Sequence, residues 1–177
     1  MFSTKQHLIK RTGACGIGRF NYLQSLIEEF QTTELSSSKR EILANLANFA
    51  YDPINYDYFL QLNIPDIFID CLVDEKDKDP CLRLYALTGV CNSCLDKRMK
   101  SFYISNGCVK AVAQYLFWDD PQMIIQAITS LMYLINNESR QEITAVAIRQ
   151  RMVELMSSLD RRVKNLATVF VEDYLPK

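Results

Sequence analysis

The chain is poor in the residues that interrupt regular structure or carry enzyme chemistry. Its 177 residues include five glycines, five prolines, one tryptophan and one histidine, His7. So few glycines and prolines leave little room for long disordered segments. A catalytic pair built on histidine would depend on His7, which lies in a segment without regular apolar spacing. The sequence therefore favours an ordered domain and offers no candidate catalytic residue.

The chain also lacks a strong net charge and any long hydrophobic run. Its formal net charge is −1 at pH 7, so no overall field favours binding to nucleic acid or anionic lipid. No apolar stretch approaches the roughly 18 residues that a membrane span requires. No signal peptide accompanies the six cysteines. We therefore expect an intracellular, reducing compartment with free thiols, and neither a membrane contact nor a small-molecule substrate or cofactor.

Apolar residues from Tyr22 onward recur with helical spacing in four short segments. The first segment has apolar residues at positions i, i+3, i+4 and i+7, namely Leu23, Leu26, Ile27 and Phe30. Equivalent patterns occur at 64–72, 109–116 and 152–159. After a polar break, each is followed by a longer and more continuously apolar helix, at 39–51, 81–95, 122–135 and 161–174. Such helices are expected to contact protein on both sides, like the inner helices of a stack.

The four longer helices align with one another as copies of a repeat. Residues 43–48 align with 87–92, 128–133 and 166–171, at offsets of 44, 41 and 38 residues. This period is typical of armadillo or HEAT arrays and is too long for tetratricopeptide or ankyrin units. We therefore predict an all-α solenoid, a right-handed superhelix of about four repeats.

The alignment also predicts the organisation of the chain. Residues 1–17 have no sustained period and are expected to form a flexible tail, with Gly13, Gly16 and Gly18 as a hinge. A repeat domain is predicted at 18–177, divided approximately into 18–62, 63–106, 107–146 and 147–177. Two of the polar breaks end in a proline that suits the first turn of the next helix, Pro80 and Pro121.

Two kinds of motif resemble the armadillo-repeat family. Segments 63–67 and 106–112 resemble the glycine–apolar opening of an armadillo second helix. Leu46-Ala47-Asn48 and Val90-Cys91-Asn92 resemble the leucine–serine–asparagine signature of the third helix. The resemblance covers about residues 20–175 and implies an armadillo fold that acts as a protein-binding scaffold.

One run is similar to a particular short eukaryotic member of this family. It is LANLANFAYDP at 43–53, accompanied by Asn165-Leu166-Ala167 near the end of the chain. This narrower resemblance implies a nuclear protein that pairs with an RNA-recognition-motif protein in pre-mRNA splicing by the minor, U12-type spliceosome. It also implies that RNA is contacted mainly through that partner.

Cys91 and Cys94 form a C-x-x-C pair, a spacing that occurs in redox and zinc sites. Redox pairs normally open a helix beside strands, and no strand pattern is present. A structural zinc site needs four ligands, and the sequence has no second pair. In the repeat alignment Cys91 replaces Ala47 and Cys94 replaces Ala50. We interpret both cysteines as small packing residues and predict no bound metal.

The candidate partner-binding residues come from one aligned position of the third helices. That position holds Asn48, Asn92 and Tyr133, with Val171 in the fourth copy. The resemblance implies that third helices line a concave groove, where asparagine amides can hydrogen-bond an extended partner. Tyr51 lies one turn beyond Asn48 and extends the row. We therefore predict a partner surface of these four residues, Asn48, Tyr51, Asn92 and Tyr133. In the alternative interpretation, the two asparagines only tie adjacent helices together.

Two alternative functions stay open at this point, as do two alternative roles for aromatic residues. The chain can be an adaptor of the importin or catenin kind that binds extended tails, although Tyr133 and Val171 interrupt a long asparagine ladder. It can also be a solenoid that binds RNA directly. Trp118, beside two aspartates, marks a second candidate surface on the convex side. The tyrosines near the end of the first repeat, Tyr51, Tyr56 and Tyr58, can instead cap the stack.

Overall fold

The computed structural model describes residues 2–12, 16–74 and 79–175, and within these ranges it contains helices and no strands. The α-helices are α1 (Lys5–Thr12), α2 (Arg19–Thr32), α3 (Ser36–Phe49), α4 (Tyr56–Gln61), α5 (Ile64–Val73), α6 (Pro80–Ser93), α7 (Lys97–Ser105), α8 (Cys108–Ala113), α9 (Pro121–Leu134), α10 (Arg140–Ile143), α11 (Val146–Leu155) and α12 (Arg161–Tyr174). Two 3₁₀ turns, Pro53–Asn55 and Gln114–Phe117, precede α4 and follow α8. The predicted all-α fold class is confirmed.

The helices stack in two rows that advance along the chain. The row of third helices consists of α3, α6, α9 and α12, and each of these contacts the next. The second helices α2, α5, α8 and α11 each pack against the third helix that follows them. This succession is an α-solenoid, in which each unit buries its apolar face against its neighbours.

Aspartates fix the starts of three of the four third helices. Asp79, Asp120 and Asp160 stand at the N-caps of α6, α9 and α12, where their side chains accept hydrogen bonds from backbone N–H groups of the first turn. Pro80 and Pro121 occupy the first turns of α6 and α9, as predicted. The third helices therefore begin at positions specified by local sequence.

Two residues with left-handed backbone open α5 and α8. Asn63 has a φ of 52° and Gly107 a φ of 71°, and they stand 44 residues apart at equivalent places in the repeat. Glycine adopts this conformation without a steric cost, and asparagine is among the residues that tolerate it best. Both belong to the segments that resembled the opening of an armadillo second helix.

The core runs between the two rows and is closely packed. Gly89 of α6 lies against Phe68 of α5, and a Cβ atom added at Gly89 would stand 2.4 Å from the phenylalanine ring. Two fully buried tyrosines satisfy their hydroxyls, Tyr103 with Ser93 at 2.7 Å and Tyr115 with the backbone carbonyl of Leu72 at 2.8 Å. The rows are therefore held by shape complementarity and by buried hydrogen bonds.

The structure differs from the sequence-based prediction near both ends. Residues 5–12, within the predicted flexible tail, form α1. Helix α11 ends at Leu155, and Leu159, which was expected on an apolar helical face, is fully exposed. Part of the predicted glycine hinge and residues 75–78, in the polar break between α5 and α6, lie outside the described residues. Within those ranges, no helix combines the length and apolar character needed to cross a lipid bilayer.

Candidate partner-binding groove

Three of the four predicted partner-binding residues line one cavity on the row of third helices. Asn92 and Tyr133 lie in the last turns of α6 and α9, and Tyr51 follows the end of α3. The cavity, called the groove below, has a volume of about 620 Å³. Its lining residues are Phe2, Tyr51, Pro53, Tyr56, Asp57, Cys91, Asn92, Leu95, Asp96, Arg98, Thr129 and Tyr133.

Asn92 links two adjacent units of the stack. Its side-chain nitrogen donates a hydrogen bond of 3.0 Å to the backbone carbonyl of Ala47 in α3. Its own backbone carbonyl accepts a hydrogen bond of 3.1 Å from the hydroxyl of Tyr56 in α4. The tie between adjacent helices that the alternative interpretation described is therefore present at Asn92, which also lines the groove.

Asn48 differs from Asn92 although the two are equivalent in the repeat. Its side chain is exposed in the last turn of α3 and makes no hydrogen bond with the described residues. Asn48 is not one of the residues that line the groove. Of the four residues in the predicted row, Tyr51, Asn92 and Tyr133 line the groove together. Asn48 lies outside this lining. Its role in partner binding stays a prediction.

Three exposed aromatic residues line the groove: Phe2, Tyr51 and Tyr133. The Tyr51 side chain is 61% exposed and that of Tyr133 is 40% exposed. Desolvation by burial raises the pKa of Tyr133 above that of free tyrosine, so its hydroxyl remains a neutral donor and acceptor at physiological pH. Large rings with a polar end are the side chains that most often anchor protein partners.

Tyr56 and Tyr58 contribute mainly to packing inside the fold and contribute little to its exposed surface. Tyr56 is buried, and burial raises its pKa above that of free tyrosine. Tyr58 is partly buried, and its ring contacts Phe20 at 6.3 Å between centroids. These two tyrosines therefore fit the capping role that the sequence left open for the first end of the stack, whereas Tyr51 does not.

A charged cluster forms one side of the groove. The guanidinium of Arg98 contacts Asp57 at 2.7 Å and Asp96 at 3.2 Å. Partial burial opposes ionisation of Asp96, but hydrogen bonds from Arg98 and from the backbone N–H of Met99 lower its pKa overall. Asp96 therefore stays a carboxylate, caps α7 and holds Arg98 beside the opening of the groove.

Cys91 lies in the wall of the groove but offers little chemistry. Desolvation by burial raises the pKa of Cys91 to about 11, and burial also raises the pKa of Cys94. A neutral thiol is a poor nucleophile and a poor metal ligand. The described residues include no cluster of three or more histidine, cysteine or acidic side chains arranged to hold a metal ion. Ala47 and Ala50, the aligned residues, are buried like the two cysteines, which fits the packing interpretation.

Two other cavities occur on the described surface. One, of about 500 Å³, lies beside Phe117 and Trp118 and includes Asp119 and Asp120. Trp118 packs on Tyr115 with ring centroids 5.3 Å apart, so its ring is partly engaged in the fold. The other, of about 410 Å³, lies between α2 and α5. The residues predicted from the repeat line neither cavity.

Sequence reasoning missed several residues of the groove. Phe2 lies far from the repeat pattern in sequence, and nothing in that pattern connects it with Tyr51. Asp57 and Arg98 are separated by 41 positions and meet because α4 and α7 are brought together by the stack. Leu95 was placed at the end of the predicted helix 81–95, but α6 ends at Ser93 and Leu95 is 64% exposed.

Comparison with known proteins agrees with the architecture and with the repeat signature. No protein-family model matches the chain. The chain is 41% identical over 160 residues to Armadillo repeat-containing protein 7 of Mus musculus, an alignment that covers 89% of this chain and 79% of the mouse protein. Two crystal structures of engineered proteins superpose with TM-scores of 0.72 and 0.68 at 18% and 20% identity. The alignments cover 83% and 82% of this chain and 60% of each engineered chain.

The structural matches define the fold class, and the sequence match defines the family. The two engineered structures share the fold alone, an α-helical solenoid. The extent and identity of the match to the mouse protein go further: the chain belongs to the armadillo-repeat family. The resemblance found in the signature segments around Asn48 and Asn92 is thereby confirmed.

Proposed function

We propose that this chain is a non-catalytic scaffold that holds a protein partner in the groove. The observation that carries the proposal is the meeting of Tyr51, Asn92 and Tyr133 in one cavity across three successive third helices. Exposed aromatic rings beside a polar amide and a charged cluster are features of protein interfaces. Thiols that stay protonated at physiological pH fit binding better than covalent catalysis.

The partner we propose is an RNA-recognition-motif protein that acts in nuclear pre-mRNA splicing by the minor spliceosome. The support is the resemblance of the run 43–53 and the 41% identity to a named armadillo protein of mouse. The net charge of −1 also fits a scaffold that leaves most of the RNA contact to its partner.

A long ladder of backbone contacts to an extended tail has less support. Asn92 already uses its side-chain N–H on Ala47, and Asn48 lies outside the groove lining. The third and fourth aligned positions hold Tyr133 and Val171 instead of asparagine. These residues favour a compact aromatic contact over an importin-like ladder.

Affinity purification followed by mass spectrometry tests the proposal. The full chain, the double variant Tyr51→Ala/Tyr133→Ala and the control Tyr22→Ala are expressed in human cells with the same tag. Tyr22 is 39% exposed, close to the 40% of Tyr133, and does not line the groove. We expect the wild type and the control to capture an RNA-recognition-motif protein, and the double variant to capture at least about tenfold less.

Three results would contradict the proposal. Equal capture by the double variant rejects the groove, provided that circular dichroism shows the same helicity for all three proteins. Capture of other proteins without any RNA-recognition-motif protein rejects the partner class. RNA binding by the purified chain alone, with the steep loss on added salt that phosphate contacts produce, favours a direct RNA-binding solenoid.

A further inference from the structure

The first residues of the chain contact the groove. Residues 2–4 are not helical, and Phe2 is one of the residues that line the groove. The rings of Phe2 and Tyr51 lie with centroids 5.6 Å apart at an interplanar angle of 45°. Phe2 remains 57% exposed, so this contact covers only part of the ring. The Tyr51 end of the groove thus already holds an aromatic side chain.

The next residue adds a backbone contact. The N–H of Ser3 donates a hydrogen bond of 2.9 Å to one carboxylate oxygen of Asp52, and the N–H of Ile54 donates to the other oxygen at 3.3 Å. Partial burial works against ionisation, but a hydrogen bond from the Ser3 side chain, the two backbone hydrogen bonds and the charge of Arg19 lower the pKa of Asp52 overall. The 3₁₀ turn that begins at Pro53 therefore presents a fixed carboxylate beside Tyr51.

Together these two contacts describe a small recognition element. An aromatic ring lies on Tyr51, and the backbone N–H of the following residue reaches Asp52. Any residue except proline supplies the N–H, and the Ser3 side chain adds a hydrogen bond to Asp52. Phe2 forms part of the wall of the cavity of about 620 Å³, and the lining also includes Asn92 and Tyr133, so space for a longer segment is left beside Phe2.

We infer that Phe2 and Ser3 are an intramolecular occupant of the groove, which a partner segment displaces by placing its own aromatic side chain on Tyr51 and its own backbone N–H on Asp52. The inference rests on the proposed function of the groove. An occupant that makes one ring contact and one hydrogen bond is weak, but its attachment to the chain gives it an effective concentration of the order of millimolar. A weak partner is therefore excluded, and only a segment with further contacts along the groove binds.

Nuclear magnetic resonance on the full ¹⁵N-labelled chain tests the intramolecular contact. The variant Phe2→Ala/Ser3→Pro removes the ring and the N–H together. Ile9→Ala is the control, because Ile9 is 72% exposed on α1 and does not line the groove. We expect the double variant to shift the amide signals of Tyr51 and Asp52, and the control to leave them unchanged. Unchanged signals in the double variant would overturn the inference.

A peptide of residues 1–12, added in trans up to millimolar concentration, tests the competition. It should shift the amide signals of Tyr51 and Asp52 in the double variant, and bind the wild-type chain at least about twofold more weakly because the tethered segment competes. The same peptide with Phe2→Ala should not bind the double variant. Equal binding of the peptide to both chains would show that nothing occupies the groove in cis, and no binding to either would show that the groove does not recognise this element.

The experiments distinguish failure of this inference from failure of the proposed function, because only the purification involves a partner. Neither spectroscopic experiment uses a partner, so their failure rejects the intramolecular occupant and leaves the scaffold function to its own test. In the purification described above, Phe2→Ala/Ser3→Pro should capture several-fold more of the groove-dependent partner than the wild type. Unchanged or reduced capture would show that the segment does not compete with the partner.

Discussion

The side-chain amide of Asn92 reaches across the stack and donates a hydrogen bond of 3.0 Å to the backbone carbonyl of Ala47. Ala47 lies in the last turn region of α3, where carbonyl groups near the helix end lack partners within the helix. The amide therefore satisfies part of one helix end with a side chain from the next unit. Among the described helices no third helix precedes α3, and the side chain of the equivalent Asn48 makes no such bond.

This difference predicts that substitution by alanine at the two equivalent asparagines lowers stability by different amounts. Asn92→Ala removes the bond to Ala47 and should lower the free energy of unfolding by about 1 kcal/mol. Asn48→Ala removes an exposed side chain and should change it by less than about 0.5 kcal/mol. Urea denaturation monitored by circular dichroism measures both. Equal losses in the two variants would contradict the structural role assigned to Asn92.

The N-cap of α9 predicts different losses of stability for alanine substitutions at two adjacent aspartates. Asp120 accepts hydrogen bonds from the N–H groups of Gln122 and Met123 at 2.7 and 3.2 Å. Asp120→Ala should therefore destabilise the chain by about 1 kcal/mol. The adjacent Asp119→Ala is the matched control, since Asp119 is exposed and does not cap the helix. A thermal melt in which both variants lose the same stability would argue against the cap.

Close approach of α5 and α6 predicts that alanine is harmful at Gly89. Alanine favours an α-helix over glycine by about 1 kcal/mol. The added Cβ would nevertheless lie 2.4 Å from the ring of Phe68, so Gly89→Ala should destabilise the chain by about 1–3 kcal/mol. Gly18→Ala, with no atom within 4 Å of the added Cβ, should show no such loss.

A second substitution tests the cause of that loss. Phe68→Leu shortens the side chain that meets the added methyl group, so the loss caused by Gly89→Ala should be smaller in a Phe68→Leu background. Strictly additive effects in this double-mutant cycle would show that the ring is not the obstacle.

The aspartate caps predict a loss of stability in acid. Hydrogen bonds from Arg162 lower the pKa of Asp160 to about 2, and the pKa of Asp79 and of Asp96 is also lowered in spite of partial burial. A carboxyl whose folded pKa is lowered contributes stability that is complete above its unfolded pKa, about 3.9, and that is lost as pH falls through the folded value.

Urea denaturation between pH 7 and pH 2 measures this dependence. The free energy of unfolding should be nearly constant from pH 7 to pH 5 and should decline below about pH 4. Asp96→Asn keeps an oxygen acceptor but cannot titrate, so its decline should be shallower than that of the wild type. A wild-type stability that stays level down to pH 2 would contradict the paired state of these caps.

Buried thiols predict selective reactivity. Burial raises the pKa of Cys108 to about 12 and that of Cys91 to about 11, so both remain protonated near neutral pH. Cys81 is exposed and should react rapidly with a thiol reagent. Mass spectrometry of the modified sites in native and urea-unfolded protein checks this, with Cys81→Ser as the control. Rapid native modification of Cys108 would show that its surroundings open.

The long helices were predictable because their apolar residues recur over many turns. The third helices α3, α6, α9 and α12 lie within a few residues of the predicted segments. The shorter helices α1, α4, α7 and α10 were not predicted, since a segment of one to three turns does not establish a period. Their positions depend on contacts with neighbouring units that the local sequence does not encode.

The site was predictable to the extent that it follows the repeat. Asn92 and Tyr133, from aligned positions, line one cavity together with Tyr51, and their role in partner binding stays a prediction. The position of Asn48 outside the lining reflects its place at the first third helix, where the row begins. Phe2 could not be predicted, because its contact with Tyr51 spans 49 residues and belongs to no periodic pattern.

The groove is built from successive units of the stack, so local unfolding of one unit disrupts it. Tyr51, Asn92 and Tyr133 come from three consecutive units, and in an array held by nearest-neighbour contacts the end units open most easily. Fraying of the first unit alone displaces Tyr51 and Asp52 while α6, α9 and α12 stay folded. We therefore expect a partner bound in the groove to slow amide exchange in the first unit.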